Sequence, residues 1–337
     1  MAKLPWSALV IVTLLGLAAD DASAWGATGH RLVSEIGAAH LPAEVPAFLG
    51  SPAARATIRE LGAELDRSKG AGRTHDAERD PGHYVNLDAQ ASVLGVVALD
   101  ALPDTREGYD TALRAHGKTQ YLAGYLPYAI VDGWLQLRKD FGLWRAAVVG
   151  AASAVDAADR AWFEEDRKLR EALILRDVGV WSHYIADASQ PLHVSIHRDG
   201  WSGPNPKGYT TSRGIHAAFE GEFVRRFVPA ERVTAAVRPY RDCAGPIEER
   251  TRRHLRASLA MVERVYELEA TGAFRSGDAA GVAFAAQRLA AGASELRDMI
   301  VDAWRASVDA TVGYPPVAVR DIESKVLVPT RTMFVGD

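Results

Sequence analysis

The sequence has very little cysteine and few long apolar runs. Cys243 is the only cysteine among 337 residues, which excludes a fold held together by internal disulfide bonds. Beyond the first 24 residues no apolar run is long enough to cross a bilayer, so we expect no transmembrane segment. Stability must therefore come from a buried apolar core and from any metal that the chain binds.

Signatures of several common enzyme and binding classes are also missing. There is no internal repeat, no glycine-rich phosphate-binding loop and no Gly-x-Ser-x-Gly motif. Lysine, arginine and aromatic residues form no continuous run, and the formal net charge is -4, whereas a strong nucleic-acid binder is more often basic with interleaved aromatics. The composition is otherwise that of an ordinary globular protein.

Residues 1–24 have the features of a secretory signal peptide. A lysine precedes an apolar run from Ala8 to Ala19 that is too short to span a bilayer, and the segment ends in Ala22-Ser23-Ala24, a small-x-small cleavage site. No cysteine follows that could carry a lipid anchor. We expect cleavage between Ala24 and Trp25, and a periplasmic or secreted mature protein.

Cleavage at this point would leave Trp25 with a free α-amino group. Such groups titrate near pH ~7.7–8 in model compounds, so this one can lose its proton to a metal at little cost. The amine and the carbonyl oxygen of the same residue would form a five-membered chelate. His30 follows closely, in the first turn of a predicted helix that Thr28 is expected to cap and that continues to Leu41.

The strongest pattern consists of two pairs of metal-binding side chains. His183 and Asp187 are four residues apart, and so are His216 and Glu220. On a helix, residues at this spacing project from one face, one turn apart. Imidazole and carboxylate groups are ligands that zinc accepts readily. The spacing therefore predicts a metal site built on two helices.

His193 is the candidate ligand on the segment between these two pairs. It follows Gln190-Pro191-Leu192, and the proline disfavours a continued helix at the residues before it. The chain is therefore expected to turn here and direct a third imidazole toward the same place.

Further candidate ligands lie earlier in the chain. His83 follows Pro81-Gly82, a predicted turn. Asp66 is the favoured carboxylate of this region, with Asp76 and Asp80 as rivals in the acidic loop that leads to His83. His75, in the middle of that loop, is expected to be exposed.

Helical periodicity covers most of the remaining chain. We expect the helical pattern to break near Gly142. The missing side chain of Gly179 is expected to leave room beside a metal. Residues 196–213 are expected to form a loop over the site, in which Trp201 covers substrate. Residues 244–312 are expected to be scaffold, with Pro315-Pro316 ending the last helix. The predicted helices cover residues 52–65, 106–116, 128–155, 156–189, the segment around residues 216–220, 246–272 and 279–312.

Taken together, these motifs resemble the zinc-dependent phospholipase C and S1/P1 nuclease superfamily. The likeness runs from Trp25 to about Phe227 and rests on WGATGH at the mature start, HYVN at His83, HYIADASQPLH and GIHAAFEGEFV. The resemblance implies an all-α fold with a single multi-helix domain over residues 25–337, and a site that holds three zinc ions.

The resemblance also assigns the ligands. One zinc would be held by Asp66, His83, His183 and Asp187. A second would be held by the amine and carbonyl of Trp25 with His30, and Asp187 would bridge these two ions. The third would be held by His193, His216 and Glu220.

The expected activity is hydrolysis of phosphodiesters. Zinc can lower the pKa of bound water from 15.7 to about 7, so a hydroxide bridging two ions could attack while the ions neutralise the phosphate oxygens. Asp66 would then be both a ligand and the acceptor of the water proton.

The substrate branch is set by Glu220, whose place within GIHxxxE resembles phospholipase C, whereas the nucleases usually carry Asp there after an NLH motif that this chain lacks. We therefore predict a monomeric phospholipase C-like enzyme that acts on a phospholipid or related diester. The alternative is a single-strand nuclease or 3′-nucleotidase, because the WGxxGH and HYVN motifs resemble those of the nucleases. A non-catalytic zinc-binding periplasmic protein is the third possibility, because a metal can also serve only to stabilise a fold.

Overall fold

The computed structural model describes residues 25–242 and 245–335. The predicted signal peptide and Cys243 lie outside the described residues. Helices account for 68% of the structure and strands for 3%, which confirms the predicted all-α class. Within the described ranges no helix is both long enough and apolar enough to cross a membrane.

The helices vary from single turns to more than thirty residues. The first eight are α1 (Gly26–Ala39), α2 (Pro52–Leu61), α3 (Glu64–Arg67), α4 (Arg73–Arg79), α5 (Arg106–Arg114), α6 (Gln120–Ala123), α7 (Leu126–Ser153) and α8 (Ala157–Ser189). The others are α9 (Gly214–Ala217), a π-helix (Ala218–Phe223), α10 (Val224–Phe227), α11 (Ala230–Ala235), α12 (Ile247–Leu259), α13 (Val262–Ala270), α14 (Ala273–Ser276), α15 (Ala279–Ala306), α16 (Val319–Glu323) and α17 (Thr332–Val335).

The remaining regular structure is short. Two small antiparallel hairpins pair Ser92–Val93 with Val97–Ala98 and Thr311–Val312 with Val317–Ala318. The 3₁₀ turns are Ala47–Gly50, Asp80–His83, Leu99–Ala101, Pro191–Val194 and Ser307–Asp309.

Helix α8 is the centre of the fold, because it packs against α1, α2, α7 and α15. Its first turn is capped by Asp156, whose carboxylate accepts hydrogen bonds from the amides of Ala158 and Asp159. It ends at Ser189, since the chain turns extended ahead of Pro191. The predicted helix over 156–189 is therefore confirmed.

Two apolar clusters meet along the last turns of α8. Ile185 belongs to a cluster that also contains Phe141 of α7. The next residue, Ala186, belongs to a second cluster with Trp25 and Phe219. The polar side chains of this part of α8 are therefore enclosed by packed apolar groups on either side.

The start of α1 differs from the prediction. The helix begins at Gly26, and the carbonyl of Trp25 accepts the first-turn hydrogen bond from the Gly29 amide at 3.1 Å. Thr28 is therefore inside the helix and does not cap it. The helix also ends at Ala39, so Leu41 lies beyond it.

The predicted break near Gly142 is wrong, because α7 continues through it. A Cβ at this position would lie 3.2 Å from the Ala310 Cβ and 3.2 Å from the Val319 Cγ2. The glycine therefore serves the close packing of the C-terminal segment on α7. Tertiary contacts of this kind outweigh the modest helix propensity lost to one glycine.

Gly179 also has a different role from the one predicted. A Cβ there would lie 2.5 Å from the Leu61 Cβ, so the space that the glycine leaves is filled by α2. It brings α2 close to α8 and leaves no gap beside a metal.

Two other segments are subdivided differently from the prediction. The loop before His83 contains the helix α4, and the predicted helix 246–272 is two helices, α12 and α13. The last long helix, α15, ends at Ala306. Pro315-Pro316 therefore lies in the following hairpin and does not end that helix.

Candidate metal centre

The first ligand group is formed by His83, His183 and Asp187, all buried. The His183 Nε2 lies 3.0 Å from the His83 Nδ1, and the Asp187 Oδ2 lies 3.1 Å from the His83 Nδ1 and 3.5 Å from the His183 Nε2. The predicted pair at 183 and 187 thus meets a histidine that is distant in sequence.

The second group contains His30 of α1, Asp66 of α3 and again His183. Asp66 places one oxygen 3.8 Å from the His183 Nε2 and the other 3.9 Å from the His30 Nε2. The Asp187 Oδ1 lies 3.5 Å from the His30 Nε2. His183 and Asp187 therefore face both groups.

The third group is formed by His193, His216 and Glu220. The Glu220 Oε2 lies 2.9 Å from the His216 Nε2 and 3.6 Å from the His193 Nε2. Glu220 lies on the π-helix that follows α9, a wider turn of a kind often found at functional sites. This group adjoins the others, because the His193 Nδ1 lies 3.8 Å from the Asp187 Oδ1.

These spacings fit a small divalent cation. Zinc ligands at about 2.0–2.2 Å in a tetrahedral arrangement lie roughly 3.3–3.6 Å from one another. The ligand-atom pairs given above lie between 2.9 and 3.9 Å apart, and all the ligand atoms of a group lie within 4.8 Å of one another. Each group can therefore surround one ion after small side-chain adjustments.

Second partners fix the orientation of three of the imidazoles. The His183 Nδ1 lies 2.8 Å from the Gly62 carbonyl and the His193 Nδ1 lies 2.6 Å from the His83 carbonyl. A carbonyl can only accept, so each Nδ1 carries the proton and each Nε2 presents its lone pair to the centre. The His216 Nδ1 similarly faces the Asp199 Oδ1 at 3.4 Å.

Several buried acceptors in the centre are left without hydrogen bonds. Among the described residues, the Asp187 Oδ1, the Glu220 Oε1 and the His193 Nε2 have no hydrogen-bond partner. Leaving such groups buried and unsatisfied is costly. A cation bound between them would remove that cost.

The ionisation of the first group suits metal binding. Burial lowers the pKa of His83 well below its ordinary value and that of His183 to about 4, so both rings are neutral at neutral pH, as a ligand requires. Burial, with the nearby Asp66 carboxylate, raises the pKa of Asp187 well above its ordinary value. A bound cation would reverse that last effect.

The third group behaves as an ion pair. Burial alone would lower the pKa of His216, but Glu220 and Asp199 outweigh it and raise the value to about 9. Burial likewise opposes ionisation of Glu220, yet His216 and His193 lower its pKa to about 2. The carboxylate is therefore ionised, and a metal ion could replace the proton on His216.

A cavity of about 860 Å³, lined mostly by charged and polar residues, opens over the centre, and its wall includes His83, His193 and His216. Lys69 also lines it, with its Nζ 2.7 Å from the Asp66 Oδ1. Although burial alone would lower the pKa of Lys69, the Asp66 carboxylate raises it. The cavity thus places a fixed positive charge beside the candidate metal ligands.

The cavity wall contains residues that the sequence analysis missed. Lys69 lies three residues after Asp66, so helical spacing could have found it. The Arg198 guanidinium lies 4.0 Å from the centre of the Tyr84 ring, and Asp199 holds His216. Arg198 and Asp199 lie in the irregular segment before α9, where no periodic pattern marks them.

The structure separates Asp66 from its rivals. Asp76 pairs with His75 at 2.9 Å, and it lines the cavity together with Asp80. Neither belongs to a ligand group. His75 is partly buried in this contact, so the prediction that it is exposed is wrong in part.

The start of the described chain lies against the centre. The Trp25 side chain is buried, and its indole donates to the Ala186 carbonyl at 2.8 Å, next to Asp187. Trp201, by contrast, stacks on His197 at 3.9 Å and does not line the cavity. The prediction that it covers the site is therefore not supported by its position.

His254 lies apart from the three groups, and the residue four positions after it is Ser258, which is not a carboxylate. It is buried against the Ile185 carbonyl at 3.4 Å.

Comparison of the chain with protein-family models, curated protein sequences and solved structures finds no match.

Proposed function

We propose that the protein is a zinc-dependent phosphodiester hydrolase of phospholipase C type, with the all-α fold of the phospholipase C and P1 nuclease superfamily. The observation that carries the proposal is the set of three contiguous ligand groups, two of them sharing His183 and facing Asp187. His83, His193 and His216 of this set line a cavity. A structural zinc site is closed by protein ligands, whereas a catalytic one stays accessible. Access from the cavity therefore favours an enzyme over a purely structural metal protein.

Zinc bound at these groups would supply Lewis acidity, which neutralises phosphate oxygens and makes water a nucleophile near neutral pH. The chain's own residues would do the rest. Asp66 belongs to the second group and faces His183, which the first two groups share, and it would accept a proton from the attacking water as well as bind metal. Lys69 holds Asp66 in place and presents its ammonium to the cavity, where it would bind a phosphate oxygen.

The cavity wall favours a polar group next to the phosphate. No aliphatic side chain larger than that of alanine is present among the described residues that line it. A phospholipid would therefore insert its phosphate and headgroup and leave its acyl chains outside. Together with Glu220 in the GIHxxxE motif, this supports the phospholipase C-like branch.

The nuclease or 3′-nucleotidase branch is the second candidate. Tyr84 of the HYVN motif lines the cavity, and Arg198 lies over its ring. An aromatic ring combined with a guanidinium is a surface on which a nucleobase can stack. A single-stranded nucleic acid or a nucleotide would use this wall in place of a headgroup.

A substrate panel would decide between the branches. The mature protein beginning at Trp25 would be loaded with zinc, analysed for metal content and offered a chromogenic phosphocholine ester, single-stranded DNA and a 3′-nucleotide. We expect about three zinc ions and turnover of the phosphocholine ester. Turnover of the nucleic substrates alone would replace the first branch by the second, and zinc binding without any turnover would leave a structural metal protein.

The role of the amino terminus can be tested separately. Adding one alanine before Trp25 would convert its amine into an amide, which no longer offers a basic lone pair to a metal. We expect the extended protein to bind one ion fewer, while the group of His193, His216 and Glu220 keeps its ion. Equal zinc content in the two proteins would exclude the amine as a ligand.

A further inference from the structure

A second cavity lies between α12, α15 and the segment around Arg238, and it shares no lining residue with the cavity over the metal centre. Its volume is about 350 Å³. Five arginines line it, but only two carboxylates do. The arginines are Arg238, Arg241, Arg250, Arg253 and Arg288, and the carboxylates are Asp242 and Glu295.

Most of this charge is paired within the protein. Arg250 donates to Glu295 at 2.6 Å and to Asp302 at 2.6 Å. Arg238 donates to Glu295 at 2.7 Å. Glu295 is therefore neutralised by two guanidinium groups and presents little net negative charge to the cavity. At the rim, Arg253 pairs with Glu249.

Arg288 is the exception. Its Nε donates to the Ser189 carbonyl at 3.1 Å and its Nη2 reaches the Ser258 hydroxyl at 3.5 Å. Neither partner is charged, and no described carboxylate forms an ion pair with it. Burial lowers the pKa of Arg288 to about 10, whereas the carboxylates around Arg250 outweigh burial and raise its pKa.

We propose that this cavity binds a small oxyanion, a phosphate group, with Arg288 as its principal ligand. A guanidinium offers five N–H donors in a planar fork that matches phosphate oxygens, and Arg288 uses two of its nitrogens on neutral partners. Ala257 and Ala291 line the same cavity and leave room for the ion. Arg241 adds a positive charge at the rim, and Asp242 is the one lining carboxylate without an arginine partner among the contacts described.

The site is joined to the metal centre through the end of α8. Ser189, whose carbonyl Arg288 holds, is the last residue of α8 and follows Asp187 by two positions. The Ser189 hydroxyl also accepts from the Trp25 indole at 3.2 Å. An anion on Arg288 would therefore act on Ser189, which contacts Trp25 at the start of α1 and belongs to the last turn of α8, where Asp187 lies.

A simpler role for Arg288 is to cap α8, since cations stabilise the carbonyl end of a helix. Capping of α8 uses the Arg288 Nε alone, and neither of the two terminal nitrogens of the guanidinium takes part in it. The two roles make different predictions. Capping requires no anion, and loss of the arginine would then lower stability without changing phosphate binding.

The test uses zinc-loaded protein and isothermal titration with inorganic phosphate. Phosphate is expected to bind at the metal centre and at Arg288, and Arg288→Gln should weaken the second class of site at least tenfold while leaving the first unchanged. Arg264→Gln, which removes an exposed arginine paired with Glu267, is the matched control and should titrate like the parent. Glycerol phosphate in a parallel arm shows whether an esterified phosphate fits as well as the free ion.

Identical phosphate titrations for the parent and Arg288→Gln, with or without a change in melting temperature, would overturn the proposal and leave capping as the role of the arginine. If the glutamine variant does not fold, Arg288→Lys replaces it. Lysine keeps the charge but loses the fork, so the same class of site should weaken by a smaller factor, and an unchanged titration would again overturn the proposal.

Discussion

Among the described residues, two clusters of largely buried charged groups satisfy their polar atoms in different ways. In the candidate metal centre, carboxylates and imidazoles converge on one another and several acceptors lack hydrogen bonds. In the second cluster, between α12 and α15, carboxylates converge on arginines. Its members are Arg238, Arg250, Arg297, Glu295, Asp298 and Asp302.

This difference in how the buried charges are paired indicates a different role for each cluster. Buried charges persist only when they are paired, since desolvation otherwise costs several kcal/mol for each ion. The cluster on α12 and α15 carries its own cations, so its role is structural. In the candidate metal centre, the cations in contact with the described ligands are the Lys69 ammonium and the protonated His216 ring. The buried Asp187 contacts only imidazoles, so its surroundings are suited to cations that come from outside the chain.

The strongest test of this comparison is Asp187→Asn, because Asp187 belongs to the first ligand group and also faces His30 of the second. Removing a residue that only orients a metal ligand lowers metal affinity or activity by about 10–100-fold. Removing the charge of Asp187, a ligand itself, should therefore lower zinc affinity and activity by at least about a hundredfold. Zinc content and phosphodiester turnover would be measured together. Glu165→Gln, an exposed change on the same helix, is the control, and full activity of Asp187→Asn would contradict the proposed centre.

The paired cluster should respond in the opposite way. Arg250→Met leaves Glu295 and Asp302 without a main partner, and breaking a buried ion pair costs about 3–5 kcal/mol. We expect the free energy of unfolding to fall by that amount in a denaturant titration, while the folded fraction keeps its zinc. Arg226→Met breaks an exposed pair with Glu222 and should cost less than about 1 kcal/mol.

The sequence predicts the parts of the centre that depend on local spacing. His183 and Asp187 follow from an i, i+4 pattern on a helix whose cap and proline end are visible in the chain. His193 follows from the proline turn. These features could be predicted because each depends only on residues close in sequence.

Other parts depend on contacts between distant segments. The approach of Asp199 to His216 and that of Arg198 to Tyr84 are made by an irregular loop without a periodic pattern. The π-helix that carries Glu220 has no local signature that separates it from an α-helix. The predictions for Gly142 and Gly179 are wrong for the same reason, because the role of each glycine depends on which distant segment packs against it.

Gly179→Ala tests how far the metal centre depends on that packing. The added Cβ would lie 2.5 Å from the Leu61 Cβ and push α2 away, and with it the Gly62 carbonyl that orients His183. Overpacking of this kind costs typically about 1–3 kcal/mol. We expect reduced stability and weaker zinc binding together.

Gly50→Ala provides the control, because a Cβ there meets no atom within 4 Å. Its effect on stability should stay within about 0.5 kcal/mol. If Gly179→Ala lowered stability but left zinc affinity unchanged, the orientation of His183 would not depend on the position of α2.

The smallest expected effect on stability comes from Asp140, a carboxyl that lies outside the candidate metal centre and forms no ion pair with an arginine among the contacts described. Burial, with the charge of Asp177, raises the pKa of Asp140, whose Oδ2 accepts from the Gln136 side chain at 2.9 Å. A carboxyl whose pKa is raised on folding stabilises the protein less as the pH rises through the folded value. Asp140→Asn keeps the acceptor and removes the charge, so it should stabilise the protein by up to about 1 kcal/mol at pH 7 and lose that advantage toward pH 4.

Asp110 gives the opposite case. Burial opposes its ionisation, but the Gln120 amide and Arg114 outweigh it and lower its pKa. Its stabilising effect is therefore present above the ordinary carboxyl pKa and is lost as the pH falls through the folded value. Asp110→Asn should destabilise at pH 7, and its unfolding free energy should approach that of the parent in acid. Denaturant titrations of both variants from pH 4 to 7 should show differences of opposite sign, because one carboxyl is paired and the other is not.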